Sequence, residues 1–202
     1  MWRATIFRVA TAGAAENRLW RDPRTGHREI VLIRRETAGD ARAIRAVTAA
    51  AFGKPGAAGL PTEATLVDEL RAGGAWLPKL SMVAVDGAGE VVGHVVCTRG
   101  HAGQEPVLAL GPLSVRPDSQ RRGVGSALMH AVLGAGDALG EPLVALLGSA
   151  AYYRRFGFRL SDEYGIVPPV PQWQPHFQVR VLSAYRPEAR GTFAYPEPFD
   201  RV

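Results

Sequence analysis

Hydrophobic positions from residue 29 onward alternate between short β-branched runs and stretches with helical spacing. The strand-like runs lie at 30–33, 80–85, 91–98, 107–115, 143–147 and 177–182. Apolar residues recur every three or four positions at 44–52, 63–71, 124–139 and 152–156, which predicts helices. The order β-α-α-β-β-β-α-β-α-β therefore predicts an α/β fold, with a mixed sheet that carries helices on its faces.

Three local signals refine this pattern. Thr37 and Asp40 form a capping-box sequence ahead of the first helix, and the turn at 86–89 joins two strands as a hairpin. The Gly111-Pro112 pair interrupts the fourth strand-like run. Because proline cannot donate to a strand ladder, this pair predicts a bulge or an opening of the sheet.

Length and composition fit one soluble domain with additions. The chain has 202 residues, of which 47% are hydrophobic and 21% charged, and this balance supports a sizeable core. No uncharged run is long enough to span a membrane. Cys97 is the single cysteine, which excludes an internal disulfide framework and gives no metal cluster. We therefore predict a cytoplasmic protein that binds neither a membrane nor a metal.

The net charge of +5 is confined to the amino-terminal part of the chain. Residues 1–35 hold eight arginines and three acids, whereas bases and acids balance in the rest. A basic arm can contact nucleic acid, but a solvated extension is the favoured interpretation, so nucleic acid is disfavoured as a partner. We predict a basic extension at 1–28, one domain at 29–185 and a carboxy-terminal tail at 186–202 that packs on the domain.

A glycine-rich segment lies between the fourth strand and the longest predicted helix. Its residues are Gln120, Arg121, Arg122, Gly123, Val124, Gly125 and Ser126. Unpaired amides at a helix amino terminus, together with glycines that permit close approach, suit a pyrophosphate or a similar anion. A P-loop would need a lysine here, and the dinucleotide fingerprint would need glycine or alanine where Leu128 stands. A tight turn with solvated arginines is the alternative.

The segment 120–125, Gln-Arg-Arg-Gly-Val-Gly, resembles the Arg/Gln-x-x-Gly-x-Gly/Ala signature of the GNAT superfamily of acyl-CoA-dependent N-acetyltransferases. Residues 113–117 look like the end of that family's fourth strand. Residues 152–158 look like its aromatic segment after the fifth strand. The resemblance covers about residues 30–183 and implies a mostly antiparallel sheet, splayed between strands 4 and 5. The tail at 191–199 is similar, more weakly, to that of an uncharacterised bacterial branch.

The resemblance also implies roles for individual residues and acetyl-CoA as the co-substrate. The amides of 121–126 would hold the pyrophosphate of CoA, and the main chain of Leu113 and Val115 would contact its pantetheine arm. The amide of Leu113 would stabilise the oxyanion. Tyr153 would protonate the departing thiolate, whereas Tyr152 would serve packing. The implied cofactor-binding residues are Leu113, Val115, Gln120, Arg121, Arg122, Gly123, Val124, Gly125 and Ser126.

The general base and the acceptor stay open at this stage. Glu105, His94 and His101 are candidates for the base, and Cys97 has no activating neighbour, so direct transfer to a primary amine is preferred. The acceptor, a small molecule or a peptide, would enter between 53–62 and 164–177. A homodimer through exposed strand edges is compatible with this fold. The alternative function is a non-catalytic acyl-CoA sensor.

Overall fold

A computed structural model describes residues 31–53 and 59–201. The predicted extension at 1–28 lies outside these residues, so the division of the chain at residue 28 stays a prediction. The strands are β1 Leu32–Arg35, β2 Trp76–Val85, β3 Val91–Ala102, β4 Glu105–Val115, β5 Leu143–Leu147, β6 Arg159–Leu160, β7 Ile166–Val167, β8 Phe177–Val181 and β9 Gly191–Ala194. The helices are α1 Ala41–Phe52, α2 Thr62–Ala72, α3 Val124–Ala138 and α4 Ala150–Tyr153.

The main sheet has the strand order β1-β2-β3-β4-β5-β8-β6. Its neighbours are antiparallel except for β4 and β5, and β7 pairs with β9 in parallel at the side. This arrangement confirms the predicted mixed, mostly antiparallel sheet. Strands β6, β7 and β9, each of two to four residues, were not part of the sequence prediction.

The sheet opens between β4 and β5. Within the described residues these strands pair at Leu108 with Val144 and at Ala109 with Ala145, after which β4 continues to Val115 without β5 beside it. The register between β3 and β4 shifts where the Gly111-Pro112 peptide lies, and that peptide is cis. The predicted irregularity and the predicted splay are both confirmed.

Helices cover both faces of the sheet. One face carries α3, whose Leu128 and Val132 pack with Leu108 and Leu110 of β4. The other face carries α1 and α2, where Ile44 and other apolar residues pack on β2 and β3. The capping box of Thr37 and Asp40 is formed, but it begins a short 3-10 turn that leads into α1.

The carboxy-terminal segment is built into the domain. Strand β9 pairs with β3 at His101 and Ala102, and with β7 at Ile166 and Val167. Farther along, Phe199 packs against Leu66 and Leu70 of α2. The last described residues therefore join the sheet to the helices on one face.

Candidate active site

The backbone of β4 presents polar groups to the gap beside β5. The amide of Arg116 donates to the main-chain oxygen of Val92 on β3, at 2.8 Å. In an antiparallel pair, alternate residues direct their backbone groups to the same neighbour. The groups of Leu113 and Val115 therefore point away from β3. Because β5 has already separated from β4 at this level, the amide of Leu113 faces the open gap.

Gln120 fastens the glycine-rich segment to this strand. Its side-chain nitrogen donates to the main-chain oxygen of Val115 at 3.0 Å, which agrees with the outward direction derived for Val115. The side chain of Gln120 thus uses one acceptor of β4, while the amides of Leu113 and Val115 stay directed into the gap. The side chains of Leu113 and Val115 are half-buried against the core on the α3 side.

The segment then turns sharply into α3. Arg121 has a φ of 62° and Gly123 a φ of 87°, and both values lie in the left-handed region. Gly123 is the residue before the helix, and the amide of Ala127 makes the first bond to its oxygen at 2.9 Å. The amides at 124–126 precede that bond, and among the described residues no side chain caps the helix.

The charges around this helix end suit an anion. Arg121 and Arg122 are exposed, and so is Gly123, while the first turn of α3 contains no acidic residue. The helix dipole adds a positive partial charge at the same place. Val124 differs from its neighbours because its side chain is buried in the core, so its backbone alone can meet a ligand.

Tyr152 packs against the glycine-rich segment. A Cβ atom at Gly125 would lie 3.0 Å from the Tyr152 hydroxyl, and that hydroxyl shares a hydrogen bond with the Ser126 side chain. The ring also packs on Phe156, with centroids 5.5 Å apart. Packing was the role predicted for Tyr152, and the contact with Ser126 adds a polar one that the sequence did not indicate.

Tyr153 is buried, with 1% of its surface exposed. Its ring meets the edges of Tyr152 at 4.9 Å and Phe158 at 5.7 Å between centroids. Burial raises the pKa of its phenol well above the usual range, and Tyr152 contributes to the same effect. Tyr153 therefore keeps its proton at neutral pH, as a proton donor must.

Gly148 makes room for this ring and was missed by sequence analysis. A Cβ atom at Gly148 would lie 2.4 Å from Cε2 of Tyr153. The side chain of Gln178 donates to the Gly148 oxygen at 2.9 Å, which fixes the turn after β5. The end of the apolar run 143–147 at a glycine was the available signal, but contact with Tyr153 depends on the fold.

The three candidate bases lie in different surroundings. His94 is fully buried, with its Nε2 2.9 Å from the Ser81 hydroxyl and 3.5 Å from Glu36. Burial lowers the pKa of His94, against the opposing effect of Glu36. Glu105 and His101 are exposed at the β3–β4 turn. Glu105 lies eight residues before Leu113 on β4, roughly 25 Å away along the strand, so contact with the reacting atoms is excluded.

Two acidic residues of α2, Asp68 and Glu69, form ion pairs with arginines of the same protein. Asp68 pairs with Arg45 at 2.9 Å and with Arg71 at 3.1 Å, and Glu69 pairs with Arg201 at 3.0 Å. Glu63, on the same helix, is buried, with 1% of its surface exposed. None of these acids is thereby assigned to the acceptor.

Residues 31–53 and 59–201 hold no cluster of three or more His, Cys, Asp or Glu side chains arranged for a metal ion. No helix in those ranges has the length and apolar character needed to cross a membrane. Cys97 is fully buried, and burial raises the pKa of its thiol, which makes it a core residue.

Residues 52–158 match the family model described as acetyltransferase (GNAT) family. The uncharacterised N-acetyltransferase YhbS of Escherichia coli K12 is 32% identical over 142 residues, which are 69% of this chain and 84% of YhbS.

Two crystal structures are similar over most of the chain. That of Escherichia coli YhbS in complex with CoA has a TM-score of 0.76 at 30% identity, and covers 85% of this chain and 93% of YhbS. A GNAT family acetyltransferase from Brucella melitensis in complex with acetyl-CoA has a TM-score of 0.68 at 34% identity, with 85% and 99% covered. Residues 52–158, which the family model matches, include the open part of β4, the glycine-rich segment and Tyr153. The chain belongs to the GNAT acetyltransferase family.

Proposed function

We propose that this protein transfers the acetyl group of acetyl-CoA directly to a primary amine. The observation that carries the proposal is the placement of the uncapped start of α3 beside the open half of β4. One end of this surface suits a pyrophosphate and the other offers the amide of Leu113. Relatives solved with CoA and with acetyl-CoA, at 30% and 34% identity, support the same choice of co-substrate.

The residues of the glycine-rich segment would contribute to acetyl-CoA binding in different ways. The amides at 121–126 would hold the pyrophosphate, because helix-terminal amides and the dipole both favour an anion. Gly123 and Gly125 leave the main chain accessible, while Arg121 and Arg122 add positive charge. Gln120 holds the segment against Val115, which keeps the amides in line with the gap beside β4.

The chemistry at the gap depends on Leu113 and Tyr153. Acetyl-CoA supplies the thioester, whose carbonyl carbon the amine attacks as the C–N bond forms and the C–S bond breaks. The Leu113 amide would donate to the carbonyl oxygen as it gains negative charge; loss of such a donor typically costs about 10²–10³ in rate. The Tyr153 hydroxyl would give its proton to the departing sulfur and recover one from solvent, and the nitrogen would lose its extra proton to water as the amide forms.

Transfer without an acyl-enzyme follows from the surroundings of Cys97. Its thiol is fully buried with a raised pKa, so it supplies no thiolate for attack. The amine must enter unprotonated or lose its proton to water, since Glu105 and His101 lie at the β3–β4 turn, far along the strands from Leu113, and His94 is fully buried. A small-molecule or peptide acceptor, a homodimer and a cytoplasmic location stay predictions from the sequence.

The test is calorimetric titration with acetyl-CoA of the wild type, Gly125→Arg and Gly134→Arg. Both glycines belong to α3, but Gly134 is exposed and its Cβ position is empty, so it controls for added charge and length. We expect wild type and Gly134→Arg to bind, and Gly125→Arg to lose binding. Absence of binding by the wild type, or equal binding by Gly125→Arg, would overturn the proposed site.

Turnover is measured by release of the CoA thiol with spermidine, phenethylamine, lysine methyl ester and a peptide with a free amino terminus. Acetylation of at least one of these primary amines is expected. The alternative, a sensor that binds acyl-CoA without turnover, predicts binding in the calorimeter and no thiol release with any acceptor.

A further inference from the structure

Tyr195, just after β9, carries a hydroxyl that the mechanism above does not use. This hydroxyl is buried, and no hydrogen-bond partner for it exists among the described residues. Burying a polar group without a partner is costly. An unpaired buried hydroxyl therefore calls for an explanation, and a ligand that supplies the missing partner is one.

The position of Tyr195 is fixed by its neighbours on two strands. Ala194, the preceding residue, lies opposite His101 on β3. On the other side, the Tyr195 ring packs on Phe177 of β8, with centroids 6.2 Å apart. Phe177 lies opposite Leu147, the last residue of β5. The Tyr195 ring therefore lies between the level of Pro106 on β4, which pairs with His101, and the level of Leu147 at the end of β5. This interval includes Ala109, after which β4 and β5 separate.

Tyr195 and Tyr153 approach this level from opposite faces of the sheet. Tyr153 packs in the core that contains Leu108 and Leu110 of β4, under α3. Tyr195 packs against the core on the opposite face of the sheet, which contains Val107 and Ala109 of β4. These residues alternate along the strand with Leu108 and Leu110, so their side chains point to the other face. The two tyrosines therefore flank the same opening, one on the side of α3 and one on the side of α1 and α2.

The surroundings of Tyr195 keep its phenol neutral. Its ring meets four other aromatic residues, Trp173, Phe177, Phe193 and Phe199. Burial raises the pKa of Tyr195, and the Tyr153 phenol adds to the rise, so the Tyr195 hydroxyl keeps its proton at neutral pH. One edge of the Tyr195 residue lines a cavity of about 600 Å³ beside Arg99 and Leu70.

We propose that the Tyr195 hydroxyl oxygen accepts an N–H hydrogen bond from the acceptor amine and so positions its lone pair towards the thioester. This inference rests on the proposed function and adds the residue that orients the second substrate. A neutral amine has two N–H groups besides its lone pair, so it can donate to Tyr195 while its lone pair attacks. A neutral phenol favours that uncharged amine, because it offers no charge to retain an ammonium.

The test compares two inert CoA ligands, S-carbamoylmethyl-CoA and S-acetonyl-CoA. They differ in that an amide NH₂ in the first replaces a methyl group in the second, so only the first can donate to Tyr195. Calorimetry on the full chain should show wild type binding the carbamoylmethyl ligand about 2- to 10-fold more tightly, the range of one neutral hydrogen bond. Tyr195→Phe should lose this preference and keep its affinity for S-acetonyl-CoA.

Tyr185→Phe is the matched control, since Tyr185 packs on Tyr164 and lies outside the segments assigned to the acceptor. It should keep the wild-type preference. Because the Tyr195 hydroxyl has no partner to lose, Tyr195→Phe should melt at or above the wild-type temperature. Equal affinity of wild type for the two ligands, or a preference retained in Tyr195→Phe, overturns the role of Tyr195 alone. Failure of every CoA ligand to bind overturns the proposed function as well.

Discussion

The Tyr153 ring lies against Gly148 so closely that a single added methyl group would displace it, since a Cβ atom there would be 2.4 Å from Cε2. Gly148→Ala should therefore move the Tyr153 hydroxyl although Tyr153 itself is unchanged. We expect kcat to fall by about 10²-fold, the cost of a misplacement near 1 Å. Steady-state kinetics with any amine found above measures it.

Gly74→Ala is the control for that substitution, because its Cβ position has no neighbour within 4 Å among the described residues. Its kcat should equal that of the wild type. A Gly148→Ala enzyme with wild-type kcat would show that the position of the Tyr153 ring does not matter for transfer.

Tyr153→Phe should lower kcat by about 10²–10⁴-fold, the usual range for loss of a general acid, and leave the Kd for acetyl-CoA unchanged. Because burial raises the pKa of Tyr153, the wild-type kcat should not decline between pH 8 and pH 10 through loss of this proton. Tyr152→Phe serves as the comparison: it removes the contact with Ser126 and should change the Kd more than kcat. The reverse pattern in the two variants would exchange their roles.

Gln120→Glu should weaken acetyl-CoA binding. The change removes the donor to the Val115 oxygen and adds a negative charge beside the proposed pyrophosphate site. Loss of one hydrogen bond alone predicts a rise in Kd of about 2- to 10-fold, and charge repulsion increases it at low salt. Gln172→Glu, at an exposed position, adds the same charge elsewhere and should bind as wild type does. Equal Kd values for the two variants would contradict this role.

Acid should destabilise the protein through His94 and Glu36. Burial lowers the pKa of His94, so the unfolded chain binds the extra proton first and stability declines as pH falls below about 6.5. Burial opposes ionisation of Glu36, but hydrogen bonds from His94, Arg71 and Ser81 outweigh it and lower its pKa to about 2. The stability that Glu36 contributes is therefore present above about pH 4.5 and is lost between there and pH 2.

Urea unfolding at pH 7, 5.5, 4.5 and 3 measures this dependence. For Glu36 the loss is at most about 3 kcal/mol, the equivalent of its pKa shift. Glu36→Gln should flatten the curve below pH 4.5 and leave the decline near pH 6 in place. Glu105→Gln, an exposed control, should follow the wild-type curve. A Glu36→Gln curve as steep as that of the wild type below pH 4.5 would contradict the assignment.

The elements that could be predicted from the sequence are those with strong local patterns. Strand β5 has the predicted bounds, and the predicted helix at 124–139 corresponds to α3 at Val124–Ala138, because an unbroken apolar run and a long apolar stripe need no distant partner to be recognised. Strand β9 has the sequence Gly-Thr-Phe-Ala, which has no strand period. It is a strand because β3 and β7, 24 or more residues earlier in the chain, offer it hydrogen bonds.

The same distinction applies to the candidate site. The glycine-rich segment could be found because its residues are consecutive. The hydrogen bond from Gln120 to Val115, the contact of Tyr152 with Gly125 and the burial of Glu63 depend on how separate segments meet. The sequence marks Tyr195 only through the tail resemblance at 191–199, because an unpaired buried hydroxyl is a property of packing and has no sequence signature.

The ladder between β4 and β5 has two residue pairs, and it divides the described sheet into β1–β4 and β5-β8-β6. Residues 191–195 connect these halves a second time, since β9 bonds to β3 while Phe193 and Tyr195 pack on Phe177 of β8. Proteolysis after Arg190 would remove this second connection between the half-sheets. The β4–β5 ladder at Leu108 and Ala109 and the packing of α3 on both half-sheets would then remain, so we expect cleavage to loosen the gap beside β4 in which the substrates would meet.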